Sequence, residues 1–316
     1  MHLNRRPGTT TRWASLARVT RALGAAGAVA LLAATAAATA ATAAGCGDDG
    51  ESSKPFCPEG QIRVSGVCQD YAAGAPVDAT GIWEPAPGTT WQWQLTEAID
   101  PSYDVNMYDV DLFNVTGAEL ASLAGKVVIC YFSAGSWENW RDDADLFPDA
   151  ALGNTLDGWD DERWLDITDA TVRDLMLDRL DLAASLGCDG VEPDNMDGYQ
   201  NHHGIGLNAT EQLEYNRFIA DAAHERGLSV GLKNDLDQLE DLVDWFDWAL
   251  NEECHSFHEC DRYAVFTNAG KAVFHVEYVN NWSDAQGLAD RVCGNYPAFS
   301  TLIKTWDLGP ELLACD

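Results

Sequence analysis

From about Thr90 to Trp306 the chain alternates short apolar runs of β-forming residues with amphipathic segments of helical period. The runs are Trp91–Leu95, Val105–Val110, Lys126–Phe132, Gly190–Asp194, Ser229–Lys233, Trp245–Leu250, Lys271–Glu277 and Thr301–Trp306. Several are apolar without interruption, the pattern of parallel strands covered on both faces. Between them, Thr171–Ser185 sets Val172, Leu175, Met176, Arg179, Leu182 and Ala183 at helical spacing. Glu211–Arg226 sets Leu213, Phe218, Ile219, Ala222 and Ala223 on one side and stops at Gly227. Asp237–Asp244 and Ser283–Cys293 read as shorter helices. Eight β/α alternations in about 225 residues predict an α/β fold, a (β/α)8 TIM barrel. A doubly wound open sheet would share the alternation, but no G-x-G-x-x-G follows a strand and no P-loop is present.

A barrel gathers its chemistry at the C-terminal ends of its strands. The first strand delivers Gln94, and the second Asp109 and Asp111. The third runs through Tyr131 to Gly135 and is followed by Trp137, Glu138 and Arg141. The fourth ends in Glu192, Asp194 and Asn195, the fifth in Lys233, Asn234 and Asp235, and the sixth in Glu252 and Glu253. The seventh carries His275 and Glu277, and the eighth Lys304 and Trp306. Acids therefore collect where two carboxyl groups from different strands can flank a glycosidic bond, one protonating the leaving oxygen and the other attacking the anomeric carbon or activating water. Glu192 and Asp194 alternate along one strand and share a face, so one can support the other. Glu253 points away if Glu252 points in. Trp137, Trp159, Trp164 and Trp306 offer faces on which sugars stack. The seven His are scattered, with no H-x-H at a strand end and no H-E-x-x-H, and G-x-S-x-G is missing. Neither a metal nor an organic cofactor is expected.

The first 45 residues read as an export signal: Arg5, Arg6, Arg12, Arg18 and Arg21, then an Ala-rich apolar run, then Gly45-Cys46. Ala43-Ala44-Gly45-Cys46 resembles a bacterial lipobox, which makes Cys46 a lipidation site and the protein a cell-envelope lipoprotein, or otherwise a secreted one. Residues 46–88 read as a flexible tether with a Cys57–Cys68 mini-loop, and residues 89–316 as the barrel domain. Export means an oxidising compartment. Cys254 and Cys260 are expected to pair, as are Cys293 and Cys315; Cys130 and Cys188, set in apolar runs, are expected to be buried free thiols. Loss of the five signal arginines, with no acid lost, takes the formal net charge from -32 to -37. Such a chain is not built to hold nucleic acid, and it favours neutral or cationic ligands.

Several longer motifs then fall in order. Cys130-Tyr131-Phe132-Ser133-Ala134-Gly135 with Glu138 and Arg141, Gly158-Trp159 with Glu162-Arg163-Trp164-Leu165-Asp166, and Gly187-Cys188-Asp189-Gly190-Val191-Glu192-Pro193-Asp194-Asn195 with Asp197-Gly198-Tyr199 are three of them. Leu232-Lys233-Asn234 and Asn251-Glu252-Glu253-Cys254 with Glu259-Cys260 continue the series. Together, over roughly residues 90 to 306, they resemble glycoside hydrolase family 114, the endo-α-1,4-polygalactosaminidase-like proteins. The resemblance implies a (β/α)8 barrel that cleaves α-1,4-linked galactosamine polymers from within, with Asp194 as nucleophile and Glu252 as acid/base. Glu253 follows where the family often has Gln. Asp109, Arg141, Asn195, Lys233 and Asn234 match positions expected to line the cleft, and Trp137, Glu138, Trp159, Glu192 and Trp306 join them as candidates for substrate binding. A cationic galactosamine polymer would suit the acidic chain. A barrel that binds polysaccharide without cutting it, or a hydrolase of another α-linked glycan, are the alternatives.

Overall fold

A computed structural model describes residues 57–315, apart from positions 65 and 73. The export signal, Cys46 and the first part of the tether lie outside the described residues. A hairpin comes first, β1 (Gln61–Val64) and β2 (Val67–Asp70), stapled by the Cys57–Cys68 disulfide. Then follow β3 (Trp91–Gln94), β4 (Met107–Asp111), helix α1 (Gly117–Ser122) and β5 (Val127–Ser133). A three-stranded antiparallel sheet is inserted next, from β6 (Ser136–Glu138), β7 (Leu152–Leu156) and β8 (Trp159–Leu165), in the order β6-β8-β7. The chain continues as α2 (Ala170–Leu186), β9 (Gly190–Asp194), α3 (Ala209–His224), β10 (Ser229–Lys233), α4 (Leu239–Leu242) and β11 (Trp248–Glu252). It ends with α5 (Cys254–Phe257), α6 (Ala264–Asn268), β12 (Val273–Val279), α7 (Ala285–Val292), β13 (Phe299–Thr305) and β14 (Leu313–Ala314).

Among the described residues, β3, β4, β5, β9, β10, β11, β12 and β13 hydrogen-bond in that order, all parallel, and β14 adds antiparallel to β13. This is the eight-strand parallel sheet of the expected (β/α)8 barrel. Across the seam between β3 and β13 the bonds come mainly from side chains. Trp91 Nε1 donates to Ser300 O at 2.9 Å, and Lys304 Nζ to Gln92 Oε1 at 3.1 Å. No helix separates β3 from β4; Gln94 instead spends its amide on that loop, donating to Ala98 O at 2.8 Å and accepting from Asp100 N at 3.0 Å.

Local chemistry explains the elements. In α2, Asp169 caps Thr171 N, Gly187 ends the helix at φ 86°, and Val172, Leu175, Met176, Leu180 and Ala183 face the core. Helix α3 starts on a capping box of Asn208 and Glu211. Strands β4 and β10 are buried at every residue, as strands covered on both faces must be. Gly231 of β10 is required because a Cβ there would lie 2.2 Å from the Trp248 ring.

Two expectations are corrected. Cys130 and Cys188 form a disulfide rather than standing as free thiols, with Cα atoms 6.0 Å apart. Cys130 lies on β5 and Cys188 just before β9, and β5 pairs with β9 because the inserted sheet leaves the barrel order untouched. The pairs Cys57–Cys68, Cys254–Cys260 and Cys293–Cys315 form as expected. Part of the stretch expected as tether is docked. Gly60 N bonds Thr210 Oγ1 at 2.9 Å, Asn208 Nδ2 bonds Cys57 O at 2.9 Å, and Val77 N bonds Asp221 Oδ1 at 2.8 Å. Arg63, 5% exposed, pairs with buried Asp166 at 3.1 Å, donates to Gly206 O, and its backbone N–H bonds Glu211 Oε1.

Arg63→Met would leave Asp166 and Glu211 buried without their cation, an imbalance worth about 3–5 kcal/mol. Urea unfolding of the variant should show a loss of that order; a midpoint unchanged from wild type would refute the docked hairpin. Thiol titration of the denatured, unreduced protein should find none of the eight cysteines from Cys57 to Cys315 reactive.

Candidate active site

Three consecutive strands stop in the same way. β9 ends on Asp194, β10 on Lys233 and β11 on Glu252. The next residues, Asn195 at φ 61°, Asn234 at φ 50° and Glu253 at φ 61°, all sit in the left-handed region. A side chain there costs on the order of 1–2 kcal/mol, so each strand is broken at a fixed residue and its last side chain is held at the mouth of the barrel. The turn after β5 supports one of these breaks. Ala134 N and Gly135 N both donate to Asp194 O, at 2.9 and 3.1 Å, and a Cβ on Gly135 would lie 1.8 Å from Asn195 O.

One ammonium joins the three ends. Lys233 Nζ lies 3.0 Å from Asp194 Oδ1, 3.2 Å from Glu252 Oε2 and 3.0 Å from Glu192 Oε1. It also sits 4.8 Å from the centre of the Trp93 ring, a cation–π contact. Burial works against the charge of Lys233, but Asp194, Glu192 and Glu252 outweigh it and hold its pKa well above that of ordinary lysine. Because Nζ touches both carboxylates, the contacted oxygens of Asp194 and Glu252 lie no farther apart than the 3.0 and 3.2 Å legs laid end to end, about 6.2 Å.

Each strand-end acid has further donors. Asp194 Oδ2 accepts from Tyr131 OH at 3.1 Å, and Oδ1 from Asn195 N at 2.8 Å. Glu252 Oε1 accepts from Tyr278 OH at 2.5 Å, and Oε2 from Asn234 Nδ2 at 3.3 Å. Asn234 Oδ1 in turn accepts from Glu252 N and Asn251 Nδ2. Burial, then the charge of the neighbouring carboxylate, pushes both phenols well above their ordinary pKa, so both stay donors. Trp306 stacks on the Tyr278 ring with centroids 4.1 Å apart.

The other expected residues divide by depth. Asp109 and Glu192, expected at the cleft wall, are 0% exposed and lie beneath Lys233 instead, because inward-facing positions lower on their strands fill the barrel floor. Glu138 and Arg141 are also buried and bind each other, with both Arg141 bonds at 2.7 Å; Arg141 Nη1 goes on to Asp111 Oδ2 at 2.8 Å. Trp137 donates its indole N–H to Ala144 O at 3.0 Å and packs on the core. Trp159 is 42% exposed and borders a cleft of about 190 Å3 whose lining includes Asp157, Trp164, Asn195, Asp197 and His202. Asn195 turns its amide inward to Ser133 Oγ at 2.9 Å and Ser136 Oγ at 3.2 Å.

Sequence reasoning passed over Tyr131, Tyr278, Trp93 and Glu162 as site residues. Trp93 Nε1 donates to Glu192 Oε2 at 3.1 Å. Glu162 accepts from Ser136 Oγ at 2.7 Å and so ends the chain of contacts that begins at Asn195. The inward face of β3 and β12 could have pointed to Trp93 and Tyr278; Glu162 stood in the Glu162-Arg163-Trp164-Leu165-Asp166 motif without a role, and the inserted sheet carries it in.

Burial, then the nearby charge of Glu138, pushes Glu162 up to about 8 from an ordinary 4.5. A carboxyl raised on folding contributes stability that is whole below about pH 4.5 and is lost as pH rises through about 8. Glu162→Gln, which keeps an acceptor for Ser136, should therefore lose less thermal stability than wild type between pH 5 and 8. Parallel Tm curves for the two proteins would refute a protonated Glu162.

The family model of glycoside-hydrolase family GH114 matches residues 72–316. A crystal structure of Aspergillus fumigatus Ega3 in complex with galactosamine superimposes with a TM-score of 0.72 at 45% identity, covering 77% of this chain and 100% of that one. The glycoside hydrolase domain of PelA from Pseudomonas aeruginosa shares the fold, with a TM-score of 0.56 at 13% identity over 71% of this chain and 97% of that one. Among curated proteins no relative was found. The match over the whole barrel, with an acid pair at its strand ends, means that this chain belongs to glycoside-hydrolase family GH114.

Proposed function

We propose that this enzyme cleaves α-1,4-linked galactosamine-containing polysaccharide within the chain, by double displacement with retention, with Asp194 as nucleophile and Glu252 as acid/base. The observation that carries this reading is the single ammonium shared by the two carboxylates. It brings one oxygen of each carboxylate within about 6.2 Å of the other, a close approach in keeping with the roughly 5–5.5 Å between the carboxyl groups of retaining enzymes.

In the first step Glu252 gives a proton to the glycosidic oxygen while Asp194 attacks the anomeric carbon. The bond to the leaving sugar breaks and a glycosyl ester to Asp194 forms with inverted configuration. Glu252, now a carboxylate, then takes a proton from water, whose oxygen attacks the same carbon. Asp194 leaves, and the second inversion restores the α configuration. Three donors, from Lys233, Tyr131 and Asn195, converge on Asp194, the surroundings that suit an anionic nucleophile. Glu252 is the more exposed of the two, at 27% of its side chain against 20%, which suits a group that must meet both a leaving sugar and water.

The substrate class is supported by the 45% identity to a protein crystallised with galactosamine and by the formal charge of -32, which attracts protonated amines. Trp159 and Trp306 are the faces we assign to sugar stacking. Four disulfides fit export to an oxidising compartment, and we take Cys46 as the lipidated N-terminus of the mature protein.

Incubation with partially deacetylated α-1,4-galactosaminogalactan should give a ladder of short oligosaccharides by mass spectrometry. Proton NMR of the first product should show the α anomer; the β anomer first would overturn retention. Asp194→Asn and Glu252→Gln should each lower kcat by at least about 10²–10⁴ while the protein stays folded. An uncut polymer that nevertheless binds the folded protein would replace the hydrolase reading with a binding barrel.

A further inference from the structure

Beneath Lys233 lies a second pair of acids that the double displacement does not use. Asp109 of β4 and Glu192 of β9 are both 0% exposed, and Glu192 is the foremost charged group acting on Asp109. Glu192 has two donors, Lys233 Nζ on Oε1 at 3.0 Å and Trp93 Nε1 on Oε2 at 3.1 Å. Asp109 has none: among the described residues neither of its oxygens meets a donor, and neither is open to solvent. We infer that Asp109 is a protonated carboxylic acid in the working enzyme, that it donates its proton to Glu192, and that it thereby positions Lys233 between Asp194 and Glu252.

Two ionised carboxylates facing each other in a floor closed to solvent, with no donor to Asp109, would repel strongly. One proton removes the conflict and supplies the missing hydrogen bond. It belongs on Asp109: burial pushes Glu192 up to about 8, but two donors already on Glu192 favour the anion there, whereas no hydrogen bond favours it on Asp109. The groups facing Asp109 are Trp93 from β3, Glu192 and Asp194 from β9, and Lys233 from β10. Burial first, then the charge of Glu192, pushes the Asp109 carboxyl well above the ordinary range, with Lys233 pulling the other way.

The consequence reaches the reacting groups through Lys233. An ionised Asp109 would add a negative charge on the floor side of the ammonium and draw it downward, away from Asp194 and Glu252. With the proton in place, the floor offers one anion, Glu192, and Nζ rests at 3.0 to 3.2 Å from Glu192, Asp194 and Glu252. Asp109 is thus a positioning residue, and it touches no substrate. This inference rests on Asp194 and Glu252 being the reacting pair.

The test compares two variants of the full mature protein. Asp109→Asn keeps the shape, the neutrality and a donor toward Glu192; Asp109→Leu keeps the size and loses the donor. Infrared difference spectra of wild type minus Asp109→Asn at pH 7 should contain the carbonyl stretch of a buried, protonated carboxylic acid, unchanged between pH 5 and 8. In kinetics, Asp109→Asn should exceed Asp109→Leu by at least about tenfold in kcat with similar KM. The Leu variant should also show an acid limb of its pH profile displaced from that of the Asn variant. The absence of the acid band, or an equal loss of kcat in both folded variants, overturns the proposal. The infrared arm needs neither substrate nor the Leu variant, so it decides the protonation of Asp109 even if the Leu variant does not fold or the galactosaminidase reading fails.

Discussion

The site depends on one buried ammonium. Taking Lys233 out of water costs several kcal/mol, and no single carboxylate repays that. Three do, because the two strands flanking the one that carries Lys233 present them around it: Asp194 from β9 and Glu252 from β11 at the mouth, and Glu192 from β9 below. The barrel supplies the rigid spacing, and the charges supply a reason for the strand ends to keep that level. If Lys233 were neutral or displaced, Asp194 would lose the cation that balances it at the opening of the barrel.

Around this centre the polar groups are satisfied in layers. Tyr131 and Tyr278 donate to the two strand-end carboxylates from opposite flanks, and Asn234 ties Glu252 to Asn251. Behind Asp194, the amide of Asn195 reaches Ser133 and Ser136, and Ser136 reaches Glu162. Farther out, Arg141 is clamped by Glu138 and Asp111 and packs over the Phe113 ring at 4.7 Å. Such networks are worth having only when nearly complete, since an unpaired buried polar atom costs about 1–3 kcal/mol. Completeness also fixes orientation, which is what two carboxylates flanking a sugar need.

Much of this was legible in the sequence, for stated physical reasons. Gly190–Asp194 and Ser229–Lys233 appear as strands at the residues expected. Asp194 and Glu252 were visible as strand-end acids. The depth of their neighbours was not. Asp109, Glu192, Glu138 and Arg141 carry the composition of a polar cleft wall, and only the packing puts them under it. The inserted sheet escaped notice because β8 begins Trp-Asp-Asp-Glu, three of them exposed acids or aromatics in a row, without the alternation of a half-buried strand. Cys130 and Cys188 read as separate core thiols because they are 58 positions apart in sequence, with that sheet between them. The Cys57–Cys68 loop was legible but its docking was not, because its anchor, Arg63, meets partners about a hundred residues and more away.

The left-handed residues connect stability with chemistry. Asn195, Asn234, Asp235 and Glu253 all adopt positive φ without being glycine. Asn and Asp tolerate that region better than most, and three of the four are Asn or Asp. The strain sits one residue beyond each functional side chain, so it cannot relax without moving that side chain. Glycine would relieve it but would free the strand end as well, raising the entropy lost when the site is ordered. A polar residue held in this conformation by its own hydrogen bonds keeps the break sharp. Asn195 and Asn234 do this directly, each spending its side chain on the network that orients the carboxylate beside it. The strained positions and the hydrogen-bonded positions are therefore the same residues, and the barrel, stapled by Cys130–Cys188 across β5 and the start of β9, is the rigid frame against which that strain is held.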